Sequence, residues 1–275
     1  MLTKKELRKL WEEYSFRPNK RYGQNFLIDA NIKDKIIKFI NPIPGDSILE
    51  IGAGFGELTI DLARGASNVT AIEKDRRISH ILKESLLKDI ENLDLVECDF
   101  LEYTLIKRFN KIAGNLPYYI TTPIIEKLLS AKDKAERIFI MVQREYAERI
   151  LAKPGTKDYS SLSCFVQFQA KIKRLITVKK ECFFPEPKVD SIFLELEPLK
   201  KPEIYVRDEK FFFKVIRSSF QQRRKTLRSS LSGQGITSLE KSRISDILED
   251  IGLNRNARPE DISLEDFARL SDALS

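Results

Sequence analysis

Histidine is nearly absent from this 275-residue chain, His80 being the only one. Nucleophilic triads and His-ligated metal centres both lean on placed imidazoles, so both are disfavoured. The three cysteines, Cys98, Cys164 and Cys182, are too few and too widely spaced for a disulfide framework or a zinc site. They read as reduced structural residues. His80 lies in the helical stretch Ile78-Ser79-His80-Ile81-Leu82 and reads as a surface or boundary residue. No apolar run approaches the roughly 20 residues that span a bilayer, and Met1-Leu2-Thr3-Lys4-Lys5-Glu6 lacks the apolar segment of a secretory signal. A cytoplasmic protein without membrane partner or metal is expected.

What is present is a globular composition, 42% hydrophobic, with an uneven positive charge. Residues 200–233 hold ten Lys or Arg against three acidic residues, a net of +7, and the first 22 residues add +4. The remainder is slightly acidic. Positive charge gathered at two places in sequence is what gripping a polyanion requires. A solvated basic surface is the plainer alternative.

From residue 47 to about 150 the pattern alternates strand and helix. Strands are expected at 47–51, 69–72, 95–98, 111–114 and 137–142, with helices at 57–64 and 76–88, so the region reads as βαβ units around a parallel sheet. Two further strands, 171–178 and 190–196, are joined by a Pro-containing connection and suit an antiparallel edge. Beyond Pro202 only helical spacing recurs, at 208–220, 239–251 and 264–270. Two domains are expected, 1–199 and 200–275.

Gly52-Ala53-Gly54-Phe55-Gly56 stands directly between a strand and a helix, where glycine lets the backbone approach a ligand. The spacing is not the Gly-x-Gly-x-x-Gly of dinucleotide enzymes. Glu73 ends the next strand, where an acid accepts from both ribose hydroxyls, and Asp99 ends the third, where a carboxylate can receive an adenine amine. S-adenosyl-L-methionine fits such a site, because it carries adenosine without pyrophosphate. Asn115-Leu116-Pro117-Tyr118 ends the fourth strand and combines a carboxamide, carbonyls beside a proline and an aromatic ring. Together these can hold a flat base by its exocyclic amine.

With those residues in place the chain resembles the ribosomal RNA adenine N6-dimethyltransferases, the bacterial small-subunit enzymes in particular, over nearly its whole length. The motifs that carry the likeness are Gly23-Gln24-Asn25-Phe26-Leu27, the Gly52 to Gly56 loop, Asn115 to Tyr118, the run from Phe183 to Ser191, and Phe220-Gln221-Gln222-Arg223-Arg224-Lys225-Thr226-Leu227. The resemblance implies a Rossmann-like S-adenosylmethionine-dependent methyltransferase fold, α/β with a mainly parallel sheet and an antiparallel edge, followed by a small all-α domain. It implies that Asn25 and Leu27 close over the cofactor, that Gly52, Glu73, Asp99 and Asn115 contact it, and that Tyr118 and Phe183 stack on the target base. Arg223, Arg224, Lys225 and Arg228 would bind RNA. The implied reaction is dimethylation of two adjacent adenines in the 3′-terminal hairpin of 16S rRNA, within the immature 30S subunit, by a monomer. Tyr119 and Ser230 depart from the asparagines of related sequences.

Two alternatives stay open on sequence alone. One is a large-subunit (23S) rRNA adenine methyltransferase of the antibiotic-resistance type, with the same fold and chemistry. The other is a non-catalytic RNA-binding assembly factor, since a fold does not fix a function.

Overall fold

In the computed structural model, residues 1–19, 22–222, 225–232, 236 and 239–275 are described. They form two compact units, one of residues 1–147 with 171–198 and one of residues 148–170 with 199–275.

The first unit begins with α1 (Lys4–Glu13), whose capping box has Thr3 Oγ1 accepting from the Glu6 N–H while the Glu6 carboxylate accepts from the Thr3 N–H. Its apolar side carries Leu7 and Trp11 into a cluster with Phe16, Phe26 and Phe55. A two-residue strand, β1 (Phe26–Leu27), leads into α2 (Ala30–Ile40), which Asp29 caps through the Ile32 N–H and which ends at Asn41 in the left-handed conformation.

The sheet then assembles from β2 (Ser47–Ile51), β3 (Asn68–Glu73), β4 (Leu93–Glu97), β5 (Phe109–Asn115) and β6 (Ala135–Gln143), all parallel, in the spatial order β4-β3-β2-β5-β6. Because β3 and β5 lie on opposite sides of β2, the chain changes direction there, and a crevice opens at the carboxyl ends of β2 and β5. The unit's helices α3 (Thr59–Gly65), α4 (Arg76–Ile81) and α5 (Thr121–Ser130) follow β2, β3 and β5. At the opposite end of the sheet the buried Lys111 Nζ donates to Asp46 Oδ2 at 2.5 Å and to the Asn41 carbonyl at 2.7 Å. This ties the end of α2 to the start of the two central strands.

After α6 (Arg144–Leu151) and α7 (Ser161–Gln169) come β7 (Ala170–Val178), β8 (Phe183–Phe184) and β9 (Ser191–Pro198). β9 runs antiparallel to β6, with Met141 opposite Phe193 and Gln143 opposite Ser191, and β7 lies beyond it as the edge. The expected antiparallel addition is therefore present. β8 leaves this sheet and pairs antiparallel with β1, Phe26 opposite Phe184 and Leu27 opposite Phe183.

Two differences from the sequence pattern have physical reasons. The helix expected at 57–64 starts only at Thr59, because Glu57 turns back to accept from the Phe55 N–H at 3.0 Å. The helix expected to reach Lys88 keeps α geometry only to Ile81, and a wider turn over Leu82–Leu86 closes with Leu87 N–H donating to the Leu82 carbonyl. The i→i+5 hydrogen bond of this wider turn brings Leu82 and Leu87 to the same buried side.

In the second unit, α7 joins α8 (Glu209–Phe220), α9 (Leu227–Leu231), α10 (Lys241–Asp250) and α11 (Leu264–Leu274) around Phe168, Phe212, Leu248 and Phe267. The sequence pattern assigns residues 148–170 to the sheet domain. The structure groups them with the helices, because Tyr159, Cys164 and Phe168 fill that core.

Gly114 sets the spacing beneath the crevice, since a Cβ on it would lie 2.6 Å from the Ile51 carbonyl of the neighbouring strand. Backbone atoms there cannot move aside cheaply. Gly114→Ala is expected to lower stability by about 1–3 kcal/mol, as overpacking does, read as a lower urea midpoint with an unchanged slope. An unchanged midpoint would show that β2 and β5 part without cost.

Candidate functional site

A cleft of about 1040 Å³, counted out to its open mouth, lies at the carboxyl ends of β2, β3 and β5. Gly52 and Gly54 form its floor with φ of +80° and +56°, a region that side chains other than glycine's rarely adopt. The Gly52 and Ala53 N–H groups both donate to the Ile72 carbonyl, at 2.8 and 3.1 Å, which folds the loop against β3. Glu73 then fixes it from the other side. Its Oε2 accepts from the Gly54 N–H at 3.0 Å and its Oε1 from the Asp75 N–H at 2.8 Å. Each oxygen retains one further acceptor position, the arrangement a vicinal diol needs.

Three carboxylates crowd this loop. Glu50 is 2% exposed, and its Oε2 has no hydrogen-bond partner. Burial pushes its pKa to about 8, helped by the like charges of Glu57 and Glu73. Burial likewise brings Glu57 to about 8, and Glu73 to about 7 with a contribution from Asp75. A diol-binding acid, an unpartnered buried carboxylate and a side-chain-free floor fit a cofactor with a ribose and positive charge.

Asn115 ends β5 at the cleft, where its Nδ2 donates to the Asn25 carbonyl at 3.1 Å. That bond commits the amide nitrogen and leaves Oδ1 as the acceptor for an amine. The Leu116 N–H is held by the Met141 carbonyl at 3.1 Å, while no described residue donates to the Leu116 carbonyl. Thr121 Oγ1 donates to the Pro117 carbonyl at 3.1 Å and starts α5. Tyr118 is half-buried with its hydroxyl 2.9 Å from Ser191 Oγ, and burial raises its pKa.

The N-terminal strap reaches the same cleft. Asn25 Nδ2 donates to the Gly23 carbonyl at 3.0 Å, so its side chain closes a turn and its backbone carbonyl holds Asn115. Leu27 lines the cleft wall and is buried. Asp99 lines it too, with one acceptor position on each oxygen already taken: Oδ2 by Lys74 at 2.5 Å and Oδ1 by the Leu101 N–H at 2.9 Å. Burial works to raise the Asp99 carboxyl, yet these bonds outweigh it and hold it below its ordinary value.

One expected site residue stands behind the cleft lining. Phe183 is 2% exposed and packs in the cluster of Leu27, Ile36 and Phe193 rather than lining the cleft. Pairing with β1 sends Phe183 inward and Phe184 outward onto Trp11, ring centroids 5.0 Å apart. Tyr119 stands at the rim, 52% exposed, so it shapes the approach to the cleft and not its depth. Of the basic residues, Lys225 is exposed and Arg228 half-buried in the helical unit, and Arg223 and Arg224 lie outside the described residues. Ser230 is buried with an unpartnered hydroxyl, and His80 is exposed.

Several residues of the site escape sequence reading. Gln24 links the strap to the end of β3, accepting from the Asn19 N–H at 2.7 Å and donating to Asp75 Oδ2 at 2.9 Å. Lys74 holds Asp99, and Ser191 holds Tyr118. Gln24 and Ser191 do lie inside quoted motifs, and that was the available signal. Among the described residues no group of three or more His, Cys, Asp or Glu is arranged to hold a metal ion, and no helix is long and apolar enough to cross a membrane.

The family model described as ribosomal RNA adenine dimethylase matches residues 15–275. A ribosomal RNA small subunit methyltransferase A of Clostridium acetobutylicum is 42% identical over 278 residues, covering 97% of each chain. Among solved structures, a dimethyladenosine transferase from Plasmodium falciparum superimposes with a TM-score of 0.76 at 29% identity, over 89% of this chain and 95% of that one. The 23S rRNA methyltransferase ErmE gives 0.70 at 27% identity, over 91% and 99%.

The Glu50 carboxyl makes folding pH-dependent. Its folded-state pKa is raised from 4.5 to about 8, so its contribution to stability is complete below about pH 4.5 and lost as pH rises to about 8. Urea unfolding of the ligand-free protein between pH 5 and 8 is expected to show a shallower loss of stability in Glu50→Gln than in the parent. Parallel curves would show that Glu50 titrates as an ordinary carboxylate.

Proposed function

The chain belongs to the ribosomal RNA adenine dimethylase family, and on that premise we propose that it dimethylates N6 of two adjacent adenines in the 3′-terminal hairpin of 16S rRNA, using S-adenosyl-L-methionine. The reading extends to a cytoplasmic monomer acting on the immature 30S subunit. The observation that carries it is the oriented Asn115 carboxamide at the carboxyl edge of β5, facing the Gly52 to Gly54 floor.

When bound, the cofactor supplies an electrophilic methyl on a sulfonium. Gly52 and Gly54 admit its close approach, Glu73 accepts from its ribose hydroxyls, and Asp99, steadied by Lys74, receives the adenine end. An N6 amine is a poor nucleophile because its lone pair is delocalised into the ring. Asn115 Oδ1 and the Leu116 carbonyl, both accepting from that amine, favour a more tetrahedral nitrogen and free the lone pair. Pro117 has no N–H to offer and stiffens the turn. Tyr118, its hydroxyl anchored by Ser191, presents its ring to an unstacked base, a contact worth roughly 1–3 kcal/mol. Catalysis is mainly positioning.

ErmE favours a second reading, methylation of 23S rRNA, since its fold is similar across nearly the whole chain. The higher identity to small-subunit relatives and the Arg223-Arg224-Lys225 run support the 16S reading. Mass spectrometry of immature 30S subunits and of 23S rRNA, each incubated with protein and labelled cofactor, separates the two. N6,N6-dimethyladenosine is expected in 16S rRNA alone, and its absence there would sink the proposal.

Asn115→Ala is expected to reduce methyl transfer by at least a hundredfold, an order set by positioning effects, while RNA affinity measured by filter binding stays nearly constant. Normal turnover would remove Asn115 from the mechanism. Charge reversal at Arg223 and Arg224 is expected to weaken RNA binding and flatten the log–log salt slope by about one to two units, because phosphate contacts release counterions. An unaltered slope would mark this run as solvated surface.

A further inference from the structure

Glu57 has no part in the chemistry described above, yet it lies at the heart of the cleft. It lines the floor beside Gly54, close enough that a Cβ on Gly54 would meet its Oε2 at 2.6 Å. Its Oε2 accepts from the Phe55 N–H at 3.0 Å. Behind it Glu50, also lining the cleft, is almost fully buried with Oε2 unpartnered. Among the described residues no lysine or arginine forms an ion pair with Glu50, Glu57 or Glu73. The nearby lysine and arginine side chains are taken, Lys74 by Asp99 and Arg77 by Asp75.

Buried Glu50 and half-buried Glu57 lack a side-chain counter-ion, which is costly for their charged forms, and a cation supplied by the ligand removes that cost. We propose that Glu57, backed by Glu50, is an anionic counter-site for positive charge on the methionyl end of the cofactor, so that the cleft selects a charged ligand. This rests on the S-adenosylmethionine reading of the cleft. The groups that face Glu57 are Glu73 from β3 and Glu50 from β2, both opposing its ionisation, and the α-ammonium of Met1, which favours it. In the free protein burial keeps the Glu57 pKa near 8. A bound cation lowers it, so binding at pH 7 expels a proton to solvent, and affinity rises with pH until about 8.

The test is calorimetric titration of the parent and of Glu57→Gln with S-adenosylmethionine, S-adenosylhomocysteine and 5′-methylthioadenosine, in two buffers of different ionisation enthalpy. Glutamine keeps the shape and the acceptor for the Phe55 N–H. In the variant, S-adenosylmethionine is expected to bind about tenfold more weakly, the size of a lost charge-assisted hydrogen bond, and to release less proton at pH 7. Methylthioadenosine, which lacks both the sulfonium and the amino acid, is expected to bind equally to both proteins. Weakening of S-adenosylmethionine alone assigns the sulfonium as partner, and weakening of S-adenosylhomocysteine as well assigns the ammonium. Equal losses for all three ligands, or an unchanged proton release, would overturn the counter-site while leaving the cofactor reading intact. No binding of S-adenosylmethionine to the parent protein would overturn both.

Discussion

A single hydrogen bond, from Asn115 Nδ2 to the Asn25 carbonyl, governs the geometry of the cleft. A carboxamide has two faces of opposite polarity, and only the oxygen can accept from an amine. By taking the nitrogen, Asn25 determines which end is offered. The carbonyl of Asn25 is itself placed by the chain on either side of it. Its own side chain closes the turn onto Gly23, Gln24 ties that turn to Asp75, and β1 is zipped to β8. Three stretches distant in sequence, around residues 25, 115 and 183, therefore meet to orient one amide. The strap thereby positions the Asn115 side chain at the cleft.

The parallel sheet supplies the other constraint. Strands β2, β3 and β5 end in register at one edge, so Gly52, Glu73 and Asn115 arrive at the cleft together. Glu73 serves two purposes there. Its oxygens bind the backbone of the loop and of the start of α4, and the same binding aims the remaining lone pairs outward. The acids that accumulate at this edge weaken the free protein as pH rises, and a cationic ligand reverses that penalty. Stability lost at the site is recovered when the site is filled.

The parts of this arrangement that are local in sequence were legible. The five parallel strands show as apolar runs closed by turns, and Gly52 to Gly56 and Asn115 to Tyr118 follow their strands directly. The β1–β8 ribbon was not legible. Two-residue strands carry no periodicity, and their pairing joins residues more than 150 positions apart. The inward turn of Phe183 follows from that pairing, so its burial was hidden with it. The Lys74–Asp99 bond was hidden for a like reason, since each residue alone reads as a polar strand end. Residues 148–170 were misassigned because Tyr159, Cys164 and Phe168 show their partners only once α8 and α11 are folded around them.

The chemistry of the turn can be judged by elimination around Asn115. His80 is exposed on α4, outside the residues that line the cleft. Glu73 is engaged by backbone donors and Asp99 by Lys74, while the Tyr118 hydroxyl is bound to Ser191 with its pKa raised. None of these groups is poised to take a proton from an amine at the turn. Nor is one required before transfer. In the proposed reaction a neutral amine whose hydrogens were held by Asn115 Oδ1 and the Leu116 carbonyl would attack through its lone pair, and only the alkylated, cationic nitrogen would then have a proton to lose. That nitrogen is acidic enough to yield it to water. The acceptors that would shape the nucleophile would also stabilise the positive charge developing on it, so on this proposal the same two oxygens serve before and during the transfer.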